Sequence, residues 1–191
     1  MSSRSRLPDL TVGALAGALA TLLVGFSRPA ETAVAETFTP GGFTFSIERT
    51  VPGRPVEIYD ALTGDISGWW DHTVSGSPAR LFIEPKPGGG FYELFDEAGN
   101  GIRHAVVTAA DRGSLLRFEG PLGLAGNALF MVATYELAEV GLQGTSTHIA
   151  LTVHAAGEVR DGWPEAVEGV WRHFIDEQFV PYVEAGRHGS E

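Results

Sequence analysis

The 191-residue chain has no cysteine. That excludes disulfides, thiol catalysis and cysteine-ligated zinc together. It says little about compartment, because a core of this size stands without disulfides. Positive charge is also scarce. Lys and Arg number 13 against 24 Asp and Glu, which gives a formal net charge of -11 and a pI near 4.9. A nucleic-acid partner or an anionic membrane surface is not expected of such a chain. No phosphate-binding motif is present either. Pro87-Gly88-Gly89-Gly90 is glycine-rich but opens a strand rather than a helix, lacks the Lys-Ser/Thr pair, and reads as a turn. None of the six histidines stands in an H-E-x-x-H spacing. The expectation is no cofactor and no metal.

What is present suffices for one domain with a tail. The chain is 43% hydrophobic and 19% charged, which suits a folded core. Gly 25 and Pro 11 point to many turns. At the amino terminus Arg4 and Arg6 precede an uncharged run of 17 residues, Leu10 to Phe26, and Ala33-Val34-Ala35 follows. Positive start, apolar middle and small-residue site are the parts of a secretory signal, with cleavage expected after Ala35. The competing reading is an uncleaved membrane anchor over residues 10–26. Either reading places the remaining domain outside the cytoplasm, periplasmic or extracellular. The expected division is a signal or anchor over 1–35, a linker over 36–42, one domain over 43–186 and a tail over 187–191.

The domain alternates and turns in a consistent order. Phe43 to Val51 alternates as a strand. Pro55 opens a short helix through Leu62, with Val56, Tyr59, Ala61 and Leu62 available for burial, and Ile66 to Trp70 reads as a second short helix. Strands follow over Ala79–Glu84, Gly90–Phe95, Ile102–Ala110, Ser114–Glu119, Asn127–Glu139 and Thr145–Ala156, joined by hairpin-length turns that require antiparallel pairing. The last element runs from about Trp163 to Glu184, with Asp161 placed to cap it and Pro164 in its first turn. Val167, Val170, Trp171, Phe174, Ile175, Phe179, Tyr182 and Val183 form one broad apolar face. Pro181 disturbs its last turn and Gly186 stops it. The predicted fold is α+β: a curved antiparallel sheet of about six to seven strands wrapped around a long C-terminal helix, with two short helices after the first strand.

Particular motifs in this order carry a family resemblance. They are Val56-Glu57-Ile58-Tyr59-Asp60-Ala61-Leu62-Thr63 with Gly68-Trp69-Trp70, Pro87-Gly88-Gly89-Gly90-Phe91-Tyr92-Glu93, Leu116-Arg117-Phe118-Glu119-Gly120-Pro121-Leu122-Gly123, Gly144-Thr145 and Gly162-Trp163. Together they resemble the START/polyketide-cyclase/birch-allergen-like helix-grip superfamily (SRPBCC), most closely its branch related to the activator of heat-shock-protein ATPase. The resemblance spans about Phe43 to Ala185. It implies a cavity between the concave sheet and the last helix. The fold hosts lipid transfer, hormone binding, cyclisation and co-chaperone roles, so it does not by itself choose among them. The amino-terminal segment departs from the co-chaperone branch, whose partner is cytosolic.

Candidate lining residues for that cavity are Trp69, Trp70, Phe82, Phe91, Phe118, Phe130, Trp171, Phe174 and Phe179, each of which could equally fill a solid core. Two adjacent indoles, Trp69 and Trp70, are not expected to enter one core together, so one of them belongs at a pocket rim. Three polar residues could act on a bound molecule: His104, which alternates with Ile102 and Val106; His173, beside the apolar stripe of the last helix; and Glu93 on a strand. His148 and His154 share a strand face but lie about 20 Å apart at strand rise, so they cannot share a metal. Ser146 and Thr147 beside His148 make no triad, since strand neighbours point to opposite faces. The leading expectation is an exported module that binds a small hydrophobic molecule or lipid. The alternatives are a cyclase- or hydrolase-like enzyme on the same fold and a chaperone-like module with an exposed apolar patch.

Overall fold

The computed structural model describes residues 37–141 and 145–189; the expected signal or anchor segment lies outside them. Among the described residues no helix is long and apolar enough to cross a membrane. The elements are β1 (Gly41–Pro52), α1 (Pro55–Leu62), β2 (Gly64–Asp65), β3 (Arg80–Ile83), β4 (Gly90–Leu94), β5 (Gly101–Asp111), β6 (Leu115–Glu119), β7 (Leu129–Val140) and β8 (Ser146–Gly157). The C-terminal helix follows in three parts: α2 (Trp163–Arg172), a π-helical segment (His173–Phe179) and α3 (Val180–Glu184).

Strands β2 to β8 form an antiparallel meander, and β1 returns to pair along the whole of β8. The sheet therefore has eight strands, one more than the sequence pattern suggests, because Gly64–Asp65 pairs with β3. The second short helix is reduced to a single turn at Ile66–Trp70, closed by Trp70 N–H donating to the Ile66 carbonyl at 2.9 Å. Gly41 and Gly42, expected in the linker, already belong to β1. In α1 the first turn is set by Pro55 and by Glu57, whose carboxylate accepts the Arg54 backbone N–H at 2.9 Å. Tyr59, Ala61 and Leu62 are buried there as expected, but Val56 is exposed and Ile58 is buried in its place.

Alternation decides which side chains enter the core. Leu129, Met131, Ala133, Tyr135 and Leu137 of β7 point inward, as do Thr147, Ile149, Leu151, Val153 and Ala155 of β8. The helix lays Trp171, Phe174, Ile175, Phe179 and Val183 against this face. Trp171 stands at the centre, with Phe118, Tyr135, Trp70 and Phe174 each within 6.4 Å of its ring centre. Truncating so enclosed an indole to Ala costs about 3–5 kcal/mol.

The helix differs from expectation at both ends. Asp161 does not cap it. Gly162 holds the N-cap position at φ 78, a left-handed conformation open to glycine. Further on, the π segment ends immediately before α3, whose first turn holds Pro181. Proline has no N–H, and its ring collides with the carbonyl four residues back in an α-helix. The wider register, in which Val180 N–H reaches back to Ile175, passes the proline without breaking the helix.

Candidate functional site

A bulge in the sheet and a glycine pressed against it build the site. The pairing of β4 with β5 shifts between Phe91 and Tyr92: Phe91 faces Ala105 and Tyr92 faces Arg103. His104 is the extra residue of this β-bulge. A bulge bends its strand and breaks the parity of the side chains. His104 and Ala105 are both buried as a result; Ile102, opposite inward-facing Glu93, stays half-buried on the same face, and Val106 falls on the other. His104 turns inward as the alternation with Ile102 suggests, but the bulge sends Val106 to the opposite face and brings Ala105 in instead. Gly120, at the end of β6, presses on the bulge. A Cβ there would lie 2.4 Å from the His104 carbonyl oxygen and 2.7 Å from the Ala105 Cα. Only glycine allows so close an approach.

Behind His104 lies Glu93, whose side chain is 0% exposed. Its two oxygens accept four hydrogen bonds: Val74 N–H at 2.9 Å, Ser75 N–H at 2.8 Å, the Ser75 hydroxyl at 2.7 Å and His104 Nε2 at 3.0 Å. Burial pushes the carboxyl up, and these donors together outweigh it and hold Glu93 below its ordinary value. Glu93 is thus a buried carboxylate ion. An ionised carboxylate only accepts, so His104 carries its proton on Nε2 when neutral and offers Nδ1 as an acceptor. Glu93 also pins the loop after Trp70, through Val74 and Ser75, to the sheet.

Between helix and sheet lies a cavity of about 760 Å³. The segment between β2 and β3 contributes Trp70, Asp71, His72, Thr73, Val74 and Gly76. The sheet contributes Phe91, His104 and Met131, and the turn after β6 contributes Leu122, Gly123 and Leu124. The helix closes it with Trp163, Ala166, Val167, Val170, Trp171 and Phe174. Indoles aside, the hydrogen-bonding side chains on the wall are Asp71, His72, Thr73 and His104. Leu122 adopts φ 49, the one positive φ at a non-glycine among the described residues, and turns its side chain into the wall.

The sequence-derived candidates divide. Trp70, Phe91, Trp171 and Phe174 line the cavity. Trp69, Phe118 and Phe179 are buried beneath it, with Trp69 5.5 Å from Trp70 and 4.9 Å from Phe179 between ring centres. Both adjacent indoles are therefore buried, contrary to expectation. The tight turn sends Trp69 into the core, where its N–H donates to the Ala61 carbonyl, while the Trp70 N–H donates to that of His72. Phe82 and Phe130 are not lining residues. Phe82 sits on the outer face with Tyr92 and Arg80, and Phe130 is 53% exposed beside inward-facing Met131. In each case a strand register off by one changes the face.

At the rim lies a second polar group. His173 Nε2 is 2.7 Å from Asp71 Oδ2, and its Nδ1 is 2.8 Å from Glu177 Oε2. The hydrogen bonds to Asp71 and Glu177 raise the His173 pKa. His72 Nδ1 lies 2.7 Å from Asp71 Oδ1. His173 is a candidate by its place on the helix stripe, whereas Asp71 and His72 stand a hundred residues away along the chain and carry no such local signal.

No family model matches the chain, and no curated protein does. Solved structures do match. Protein Mll3558 of Rhizobium loti aligns at 22% identity with a TM-score of 0.55, over 73% of this chain and 96% of its own. A protein of Rhizobium leguminosarum aligns at 11% identity with a TM-score of 0.56, over 77% and 97%. Ara h 8.0201 aligns at 18% identity with a TM-score of 0.53, over 79% of this chain and 100% of its own. The likeness is one of architecture, and the chain has the birch-allergen-like helix-grip fold.

Proposed function

We propose that the domain binds one small, mainly hydrophobic molecule, of lipid or polyketide size, in the cavity between the sheet and the C-terminal helix. The observation that carries this reading is the cavity itself: about 760 Å³ of space in which aromatic and aliphatic side chains predominate and one buried histidine is held in a fixed tautomer. Pockets of this size and lining suit small ligands. His104 Nδ1 would accept a hydrogen bond from a hydroxyl or similar donor on an otherwise apolar occupant. The amino-terminal pattern supports an exported domain, soluble after cleavage or tethered through residues 10–26. Sequence similarity to the activator branch supports a family assignment there, without a co-chaperone role.

A second reading is favoured by one observation, the Glu93–His104 pair. A histidine oriented by a buried carboxylate is built like a general base, so a cyclase- or hydrolase-like reaction on the bound molecule is the alternative. The test of the first reading is native mass spectrometry of the protein purified from its own host compartment, followed by denaturing extraction. An occupant near one-to-one supports binding. Three of the four tryptophans line the cavity, so fluorescence quenching gives a second readout. Apo protein that no panel of lipids, phenols or polyketide-like compounds quenches overturns it.

A further inference from the structure

Asp71, His72 and His173 each offer a ligand atom within 4.8 Å of the other two, the one such grouping found among the described residues. We propose that these residues bind a divalent transition-metal ion, of the zinc, cobalt or nickel class, at the rim of the cavity. The site is independent of what the cavity itself holds.

The donor set points to that class. Two imidazoles and one carboxylate suit borderline first-row ions, whereas calcium and magnesium seek oxygen ligands. Three protein ligands leave coordination positions for water or for a polar atom of a cavity occupant. Asp71 and His72 belong to the cavity wall, so the ion would stand at its edge.

The surroundings fit as well. A metal-binding histidine commonly donates its other ring N–H to a carboxylate, which fixes the tautomer and the ring. Glu177 Oε2, 2.8 Å from Nδ1 of His173, takes that place and leaves Nε2 facing Asp71. The loop that carries Asp71 and His72 is held on both sides of the pair. The Trp70 indole donates to the His72 carbonyl at 2.9 Å, and Val74 and Ser75 are tied to Glu93. The His72 ring packs edge-on against Phe174, 4.9 Å between centres. Metal bonds of about 2.0–2.2 Å require the 2.7 Å contacts to open slightly and the widest pair to close. Asp71 and His72 are exposed, so side-chain rotation supplies both movements. The competing account is a surface ion-pair cluster in which a proton on His173 bridges Asp71 and Glu177.

The test is titration of tag-free, full-length protein with Co²⁺, followed by visible d–d absorption and by displacement with Zn²⁺. One equivalent is expected to bind. His72→Ala and His173→Ala should each weaken binding at least tenfold. Glu177→Gln should weaken it about tenfold, as loss of an outer-shell partner does. His148→Ala and His154→Ala should leave it unchanged. Hyperfine-shifted ring-proton resonances of His72 and His173 in the Co²⁺ protein identify the ligands without a variant. Absence of stoichiometric uptake, or uptake unaltered in the His72→Ala/His173→Ala double variant, overturns the proposal.

Discussion

Nε2 of His104 lies 3.0 Å from Oε2 of Glu93, and the histidine is the single extra residue of the bulge between β4 and β5. The bulge turns the ring inward, and the carboxylate decides which nitrogen the cavity meets. The same carboxylate binds the rim loop through Val74 and Ser75. One buried charge therefore sets both the polar point of the cavity and the position of its edge.

This arrangement ties stability to pH. The Glu93 carboxyl is held below its ordinary value of 4.5. A depressed folded-state pKa gives stability that is present above the unfolded value and lost as pH falls through the folded one. Glu93→Gln should therefore cost about 1–3 kcal/mol near neutral pH. The gap to the parent protein should narrow as pH drops below about 4.5, the unfolded value. Thermal melts of both proteins across that range measure it; a gap that stays constant into acid would mean that Glu93 is not ionised in the fold.

Replacing His104 by Phe keeps an aromatic ring against Phe91, now 5.0 Å away between centres, and removes the acceptor. Ligands that carry a hydroxyl should bind about threefold to tenfold more weakly, the worth of one hydrogen bond. Matched ligands without the hydroxyl should be unaffected. Tryptophan quenching titrations with such a pair separate this outcome from a general loss of packing.

Val167 faces the cavity from α2 and is only partly buried. Val167→Trp should push an indole into the cavity and obstruct it without overpacking the core, so the melting temperature should change by a few degrees at most. Ligand binding should fall below detection by native mass spectrometry. Undiminished binding in a folded variant would place the occupant elsewhere.

Pro181→Ala restores a backbone donor and removes the ring that the π segment accommodates. The helix should then gain protection over residues 177–181 in amide hydrogen exchange as it settles into the α register. Unchanged exchange would show that packing of Phe174 and Phe179, rather than the proline, sets the wider turn.

The sequence pattern made the architecture legible because it rests on two periods. Strict alternation in β7 and β8 survives folding, and the helix stripe keeps Trp171, Phe174, Ile175, Phe179 and Val183 on the core across the π segment, although Val170 of the expected face is exposed. The site was less legible because it sits where those periods break. Alternation alone groups His104 with Ile102 and Val106, and only the bulge takes Val106 off that face and puts Ala105 on it. Phe130 and Phe82 look like good lining residues by type, yet one step of register puts each on the outer face. Two of the four hydrogen bonds that keep Glu93 ionised come from the Val74 and Ser75 backbone, and a backbone donor leaves no mark on residue identity. The pairing of Asp71 with His173 is long-range and has no local signal.

The π segment has a further consequence for how the chain tolerates change. A widened stretch turns less per residue than the α-helix on either side, so the helix absorbs an extra residue while Trp171 before it and Val183 after it still reach the same core. The segment thus acts as slack in the helix. Shortening it by one residue should be survivable here, whereas the same deletion within α2 would swing every later side chain off the sheet.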